Sequence, residues 1–151
     1  MEKIELLELL NRTKSETIQF FDVPENKLDK TYGDGKWSVR QILHHLADAE
    51  YIFLGRLKKV IAEPRQVILA YNQDDWNHAF DYITEPLDGK KELYTICREM
   101  NYNVIEKYYE EYGNKEFIHH QAGLRTLKME FEKVALHNQT HNEQVRRALL
   151  R

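Results

Sequence analysis

Residues 136–145 read LHNQTHNEQV, and the four-residue spacing of His137 and His141 is the pattern from which the rest of the chain is best read. On a helix, side chains at i and i+4 lie one above the other on one face. Extending outward, Val134, His137, His141, Val145 and Ala148 follow i, i+3, i+4 spacing, with Leu127 and Phe131 leading in. Lys128, Glu132, Arg146 and Arg147 fall on the opposite, charged face. This predicts an amphipathic last helix that starts near Thr126, a good N-cap residue, and runs to the end of the sequence. Its histidines sit in the apolar seam, close enough together for both imidazoles to reach one metal ion.

Two ligands need a third, and the nearest candidate by pattern is His45, in residues 41–50 (QILHHLADAE). Just before it, Ser38 followed three residues later by Gln41 has the form of a capping box, so a helix should begin there. Its apolar positions Ile42, Leu46, Ala49, Phe53, Leu57 and Val60 form a stripe that ends before Pro64. His45 lies on that stripe. His44 falls about 100° away, nearer Asp48 and Tyr51 on a more polar side.

The remaining segments supply two further helices. Ile4, Leu7, Leu10, Thr17, Ile18 and Phe21 recur at helical spacing over residues 3–21, a first helix closed by Pro24, and residues 29–36, with Gly33 and Gly35, read as a loop. Residues 65–89 are mixed: an apolar run over 67–71, an acidic turn at Gln73, Asp74 and Asp75, and a short helix around 76–82. Such a length suits a functional rim or a crossover that lets its flanking helices run in the same direction. A third helix over 90–112 carries Leu93, Cys97, Met100, Val104 and Tyr108 on one face and stops at Gly113-Asn114. Cys97, inside that stripe, reads as a small buried hydrophobe and not a nucleophile. Residues 117–123, with His119 and His120, read as a loop whose histidines are surface residues. No segment shows a sustained strand pattern, so the fold class is all-α: a four-helix bundle of up-and-down type in one domain over 1–151, with a long crossover between helices 2 and 3.

Composition agrees. The chain is 42% hydrophobic and 31% charged, with six Gly and three Pro among 151 residues, a balance that suits a globular helical domain. A net charge of −3 gives no electrostatic reason to expect nucleic acid or an anionic membrane as partner. One cysteine excludes an internal disulfide, the first residues MEKIELLELL lack the form of a signal peptide, and no apolar run approaches spanning length. The expected compartment is the cytoplasm.

The chemistry these residues suggest is that of an open metal site. Neutral imidazole is the commonest metal ligand, and three of them leave a further position for water or substrate. The metalloprotease motif HExxH is excluded, because Asn138 stands where its Glu would be. The acids within reach in sequence are Asp48, one turn beyond His45, and Glu130, two turns before His137; either could serve as a base or hold a ligand's second ring nitrogen. The competing reading is a non-catalytic bundle that binds a small molecule or serves in stress, its histidines being core polar residues or a vestigial site.

The run GKWSVRQILHHLADAE, the turn YNQDDW and the terminal HNQTHNEQV together resemble the DinB/YfiT-like superfamily, in particular its metal-dependent hydrolases and bacillithiol transferases. The resemblance covers roughly residues 36–145. It implies that His45, His137 and His141 bind one divalent metal, zinc or nickel, inside a four-helix bundle, and that dimers form. It further implies that a low-molecular-weight thiol serves some members as cosubstrate, transferred to a small electrophile.

Overall fold

The computed structural model describes residues 1–63 and 65–151. Four long helices form the bundle: α1 (Lys3–Phe20), α3 (Val39–Ala62), α5 (Lys90–Tyr112) and α6 (Leu127–Leu149). Two short helices, α2 (Glu25–Leu28) and α4 (Gln73–Ala79), lie in the connections. The boundaries follow from local chemistry. Ser38 accepts the Gln41 N–H while the Gln41 side chain returns to the Ser38 N–H, completing the predicted capping box of α3. Thr126 accepts from the Met129 N–H and caps α6. Asn72, accepting from the Asp74 and Asp75 N–H groups, turns the expected acidic turn into the first turn of α4. α3 ends at Ala62; Pro64, expected to stop it, lies outside the described residues.

Side-chain pairs fix the directions. Asp48 meets Lys90, Glu50 meets Arg98, and Lys115 reaches the Ile61 carbonyl, so α3 and α5 run parallel. Met1 meets Glu132, and Glu16 meets Arg146, so α1 and α6 run parallel too. Lys14 pairs with Glu99 and Lys91 with Asp22, so α1 opposes α5; Arg56 beside Glu130 sets α3 against α6. In chain order the helices run up, down, down, up, and the connection from α3 to α5 is the expected crossover.

A small sheet was not expected. Strands β1 (Val67–Ile68), β2 (Glu116–His119) and β3 (Gly123–Thr126) pair in that order, β1 parallel to β2 and β2 antiparallel to β3. The segment read as a loop over 117–123 is therefore a hairpin whose turn reaches Gly123, at φ 72°. Its first strand alternates, Phe117 and His119 buried against Glu116 and Ile118 exposed, but over four residues that period is too short to distinguish from a loop.

The inner faces of α1 and α5 also differ from the apolar stripes read above. α1 buries Leu6, Leu9, Leu10, Thr13, Thr17 and Phe20, while Ile4 is exposed. α5 buries Tyr94, Cys97, Arg98, Asn101, Ile105 and Tyr109, with Met100 outside. The reason is a belt of hydrogen-bonded polar groups across the bundle. Arg98 donates to Glu50 (2.7 Å), Asn101 to both the side chain and carbonyl of Glu50, and Tyr94 to Asn138 (2.7 Å). Thr13 and Thr17 return their hydroxyls to carbonyls of their own helix. Buried polar groups are tolerable when bonded, and these displace apolar residues from the seam. The belt separates two apolar clusters, one around Leu10, Phe53, Ile105 and Phe131, the other around Ile42, Leu46, Tyr94 and Val145.

Among the described residues no helix is long and apolar enough to cross a membrane.

Candidate metal centre

At the height of the polar belt, α3 and α6 face each other through His45, His137 and His141. Their ligating nitrogens all lie within 4.8 Å of one another. Nε2 of His45 is 2.9 Å from Nε2 of His137, and the ring of His141 lies 4.7 Å from His45 and 4.5 Å from His137. The helices deliver them as the spacing predicted: His137 and His141 from successive turns of α6, His45 two turns into α3 from the antiparallel direction.

The surroundings decide the state of these rings. Burial, followed by the neighbouring His141, pushes His45 down to about 3. Burial likewise holds His137 well below the ordinary histidine range and lowers His141, against a hydrogen bond to Gln144 that raises it. All three are neutral near pH 7, the form that ligates. The second ring nitrogens sort them further. Nδ1 of His141 is 2.8 Å from Oε1 of Gln144, an acceptor only, so Nδ1 carries the proton and Nε2 is left with its lone pair. Nδ1 of His45 is 3.1 Å from the Tyr71 hydroxyl, which also frees Nε2 when Nδ1 donates to it. Nδ1 of His137 is buried with no described hydrogen-bond partner. Three neutral imidazoles, two held by outer partners, are a donor set suited to zinc, nickel, copper or iron and unsuited to the oxygen-seeking magnesium and calcium.

Aromatic rings wall the centre. Trp37, in the loop before α3, meets His45 edge-on at 5.2 Å and stacks on His141 at 6.3 Å. Phe53 meets His137 edge-on at 5.4 Å, and Tyr71 stacks on His45 at 6.2 Å. His137 and His141 line a cleft of about 470 Å³ that includes Met129, Leu136 and Thr140. A larger cavity of about 580 Å³, on the outer face of α3 beside β1, contains none of the three histidines, so the chemistry does not lie in it.

The acids singled out by sequence are engaged elsewhere. Asp48 accepts from the Tyr82 hydroxyl and from Lys90 (2.8 Å) on the side of α3 toward α5. Glu130 is buried beside Arg56 (3.7 Å), Arg125 (3.6 Å) and Lys133 (4.0 Å). Neither bonds a ring nitrogen of the three histidines; Tyr71 and Gln144 do that. Gln144 was legible in principle, three residues beyond His141 on the same helix face, whereas Tyr71 arrives from the crossover and carries no periodic signal.

Of the other histidines, His44, His119 and His120 have structural partners, and His78 is exposed on α4. His44, expected toward a polar side, is fully buried: it stacks on Tyr82 at 4.5 Å and meets the Glu85 carbonyl at 2.9 Å, because the crossover covers that face of α3. Nδ1 of His119 accepts from the Gln121 and Ala122 N–H groups within the hairpin turn, and Nδ1 of His120 accepts from the Ala70 N–H. Cys97 is buried, and burial pushes its thiol up, away from the reactive thiolate.

Comparison with known proteins agrees with this architecture. The profile of the DinB superfamily matches residues 9–145. A protein of Oceanobacillus iheyensis named "putative metal-dependent hydrolase" is 26% identical over 125 residues, 83% of this chain and 72% of that protein. Another of that name from the same organism is 38% identical over 81 residues, 54% of this chain and 46% of that protein. The solved structure of YfiT from Bacillus subtilis, described as "a probable metal-dependent hydrolase with an unusual four-helix bundle topology", matches with a TM-score of 0.86 at 22% identity, covering 96% of this chain and 84% of that one. That likeness is one of fold, and it extends to the four-helix bundle described above. With the family profile spanning nearly all of its length, this chain belongs to the DinB superfamily.

Proposed function

We propose that this chain is a divalent-metal-dependent enzyme acting on a small electrophilic substrate, either transferring a low-molecular-weight thiol of bacillithiol type to it or hydrolysing it. His45, His137 and His141 would hold the ion, zinc or nickel. The observation that supports this reading most is the convergence of three neutral imidazoles, with His137 and His141 bordering an open cleft. A closed structural site fills its coordination with protein ligands; three ligands leave room for a reactant. Bound there, a divalent ion supplies Lewis acidity, drawing the pKa of a thiol or water toward neutrality.

The chain's own residues prepare that chemistry. Gln144 and Tyr71 fix which nitrogens of His141 and His45 are free. Trp37 and Phe53 pack edge-on against the rings of His45 and His137. Cys97 is not the nucleophile, so in a transfer reaction the thiol comes from a cosubstrate. Hydrolysis is favoured by the names of the relatives; transfer needs only that the entering nucleophile be sulfur.

Elemental analysis of protein purified without an affinity tag or added metal tests the reading. About one metal ion per chain, lost in His141→Ala, is expected for a three-ligand site. Turnover of an electrophile that depends on added thiol would then assign transfer, and turnover without it hydrolysis. Wild-type protein that is folded, metal-free and unable to take up zinc or nickel would leave only the non-catalytic binding bundle.

A further inference from the structure

Next to the three-His centre is a second, smaller cleft of about 170 Å³, bounded by Arg56, Tyr71, His119, Gln121, Lys133 and His137. Its charge does not balance. Arg56, Arg125 and Lys133 have Glu130 as their only described acidic partner, at 3.7, 3.6 and 4.0 Å. Three cations therefore share one carboxylate. None of them is within hydrogen-bonding distance, and neither Glu130 oxygen accepts a hydrogen bond from a described residue although the side chain is 1% exposed. Glu130 holds the cations together without satisfying them.

A second observation points into the same cleft. Nδ1 of His119 accepts two backbone N–H groups of the hairpin turn, and burial beside Lys133 and Arg56 lowers the pKa of the ring. The proton of the neutral ring is therefore on Nε2. That Nε2–H is buried and has no described acceptor. A buried donor without an acceptor is unfavourable, and it becomes favourable when a ligand oxygen reaches it.

We propose that this cleft is an anion subsite. It takes a carboxylate or phosphate-type group of the substrate or cosubstrate, held by Arg56, Lys133 and the Nε2–H of His119. Lys133 stands four residues before His137 on the same face of α6, so a molecule anchored there by its anionic end extends along His137 toward the wider cleft, which Lys133 and His137 also line. The reacting partner of the enzyme proposed above is then anionic. A cleft of about 170 Å³ has room for a carboxylate or phosphate group. Arg56 is well suited to this task because its guanidinium is already oriented, donating to the Leu69 carbonyl at 2.8 Å and lying 6.0 Å from the Tyr71 ring.

This inference rests on the enzyme reading for its consequence but not for its test, which uses metal-free full-length protein. The chain's two tryptophans report on the region, Trp37 at 5.2 Å from His45 and Trp76 at 5.1 Å from Tyr71. Tryptophan fluorescence is followed while malonate, inorganic phosphate or neutral malonamide is added. Saturable binding of malonate or phosphate, but not malonamide, is expected, weakening as salt rises. Tighter malonate binding identifies a carboxylate ligand and tighter phosphate binding a phosphoryl one. Lys133→Gln should weaken the anion by about tenfold or more, and Lys133→Arg should largely retain it. Lys133 is half-buried on a helix surface, so its variants fold, as helical circular dichroism would verify; Arg56→Gln is the second variant. Equal binding of malonate and malonamide, or of wild type and Lys133→Gln, overturns the proposal. So does anion binding that occurs only in zinc-loaded protein, since the anion is then a metal ligand. Failure of the metal assay leaves the metal-free titration standing, and failure of the titration leaves the metal assay standing.

Discussion

Oε1 of Gln144 lies 2.8 Å from Nδ1 of His141, one turn further along α6, and determines which nitrogen of that ring faces the α3–α6 seam. The amide oxygen only accepts, so the proton stays on Nδ1 and the lone pair of Nε2 is directed at His45 and His137. A contact between neighbours on one helix thus acts on a site assembled from two.

Replacing Gln144 by Leu should keep the bundle folded, because the residue is half-buried and makes no other described hydrogen bond. It should lower zinc affinity by about 10–100-fold, the usual consequence of losing an outer partner of a ligating histidine. Gln144→Glu, which still accepts from Nδ1, should recover most of it. A competition titration against a chromogenic chelator measures both; affinity unchanged in Gln144→Leu would show that the contact does not orient the ring.

Arg98 and Glu50 form an ion pair at 2.7 Å with both side chains 1% exposed. Arg98 also reaches the Val134 carbonyl and the Thr13 hydroxyl, joining all four long helices at the polar belt. Removing the arginine leaves a buried carboxylate with only Asn101 as donor. Arg98→Met should therefore destabilise the fold by about 3–5 kcal/mol. Replacing both partners, Arg98→Met with Glu50→Leu, should recover much of the loss, and urea denaturation of the single and double variants separates the two outcomes.

That belt explains what the sequence conceals. The last helix and α3 were legible because every apolar position on their stripes is buried, even though Glu50, Glu130, Asn138 and Asn142 are buried beside them, so period and capping residues located His45, His137 and His141 together. On α1 and α5 the buried face includes Thr13, Thr17, Arg98 and Asn101, whose burial depends on partners in other helices. A reading by hydrophobicity therefore turns toward Ile4 and Met100, which the structure leaves exposed. The hairpin was hidden for a different reason. β2 takes its parallel partner β1 from about fifty residues earlier in the chain, and no local pattern encodes such a pairing. Tyr71 reaches the site from the crossover, by a closure that is likewise not local.

Burial gives the metal-free protein a definite response to acid. Folded, His45 titrates at about 3 against 6.5 for a free ring, and His137 and His141 are lowered in the same sense. Between these values the unfolded chain binds more protons than the folded one, so stability rises with pH. It is complete above the unfolded value and is lost as pH falls from about 6.5 toward the folded values, at up to about 1.4 kcal/mol per unit for each ring. Thermal melts of metal-free protein should drop between pH 7 and 5, and His45→Leu should show a shallower dependence. The same slope in wild type and variant would mean that the rings are not buried in solution.

Tyr71 offers the most local test of how the crossover takes part in the site. Its hydroxyl, 3.1 Å from Nδ1 of His45, is the described polar partner of that nitrogen, and burial, with Asp48 next, pushes the phenol well above its ordinary range. It therefore stays protonated and uncharged at neutral pH, a neutral acceptor for the His45 proton and not an anion. Tyr71→Phe removes only that oxygen. The ring stacked on His45 and beside Trp76 remains, and so does the Trp37 edge that limits rotation of His45. Zinc affinity should fall by about tenfold, toward the lower end of the range for an outer partner, while the metal content at saturation stays that of wild type. Loss of metal as complete as in His45→Ala would mean that Tyr71 holds the crossover itself in place. An unchanged affinity would assign the orientation of His45 to the aromatic wall alone.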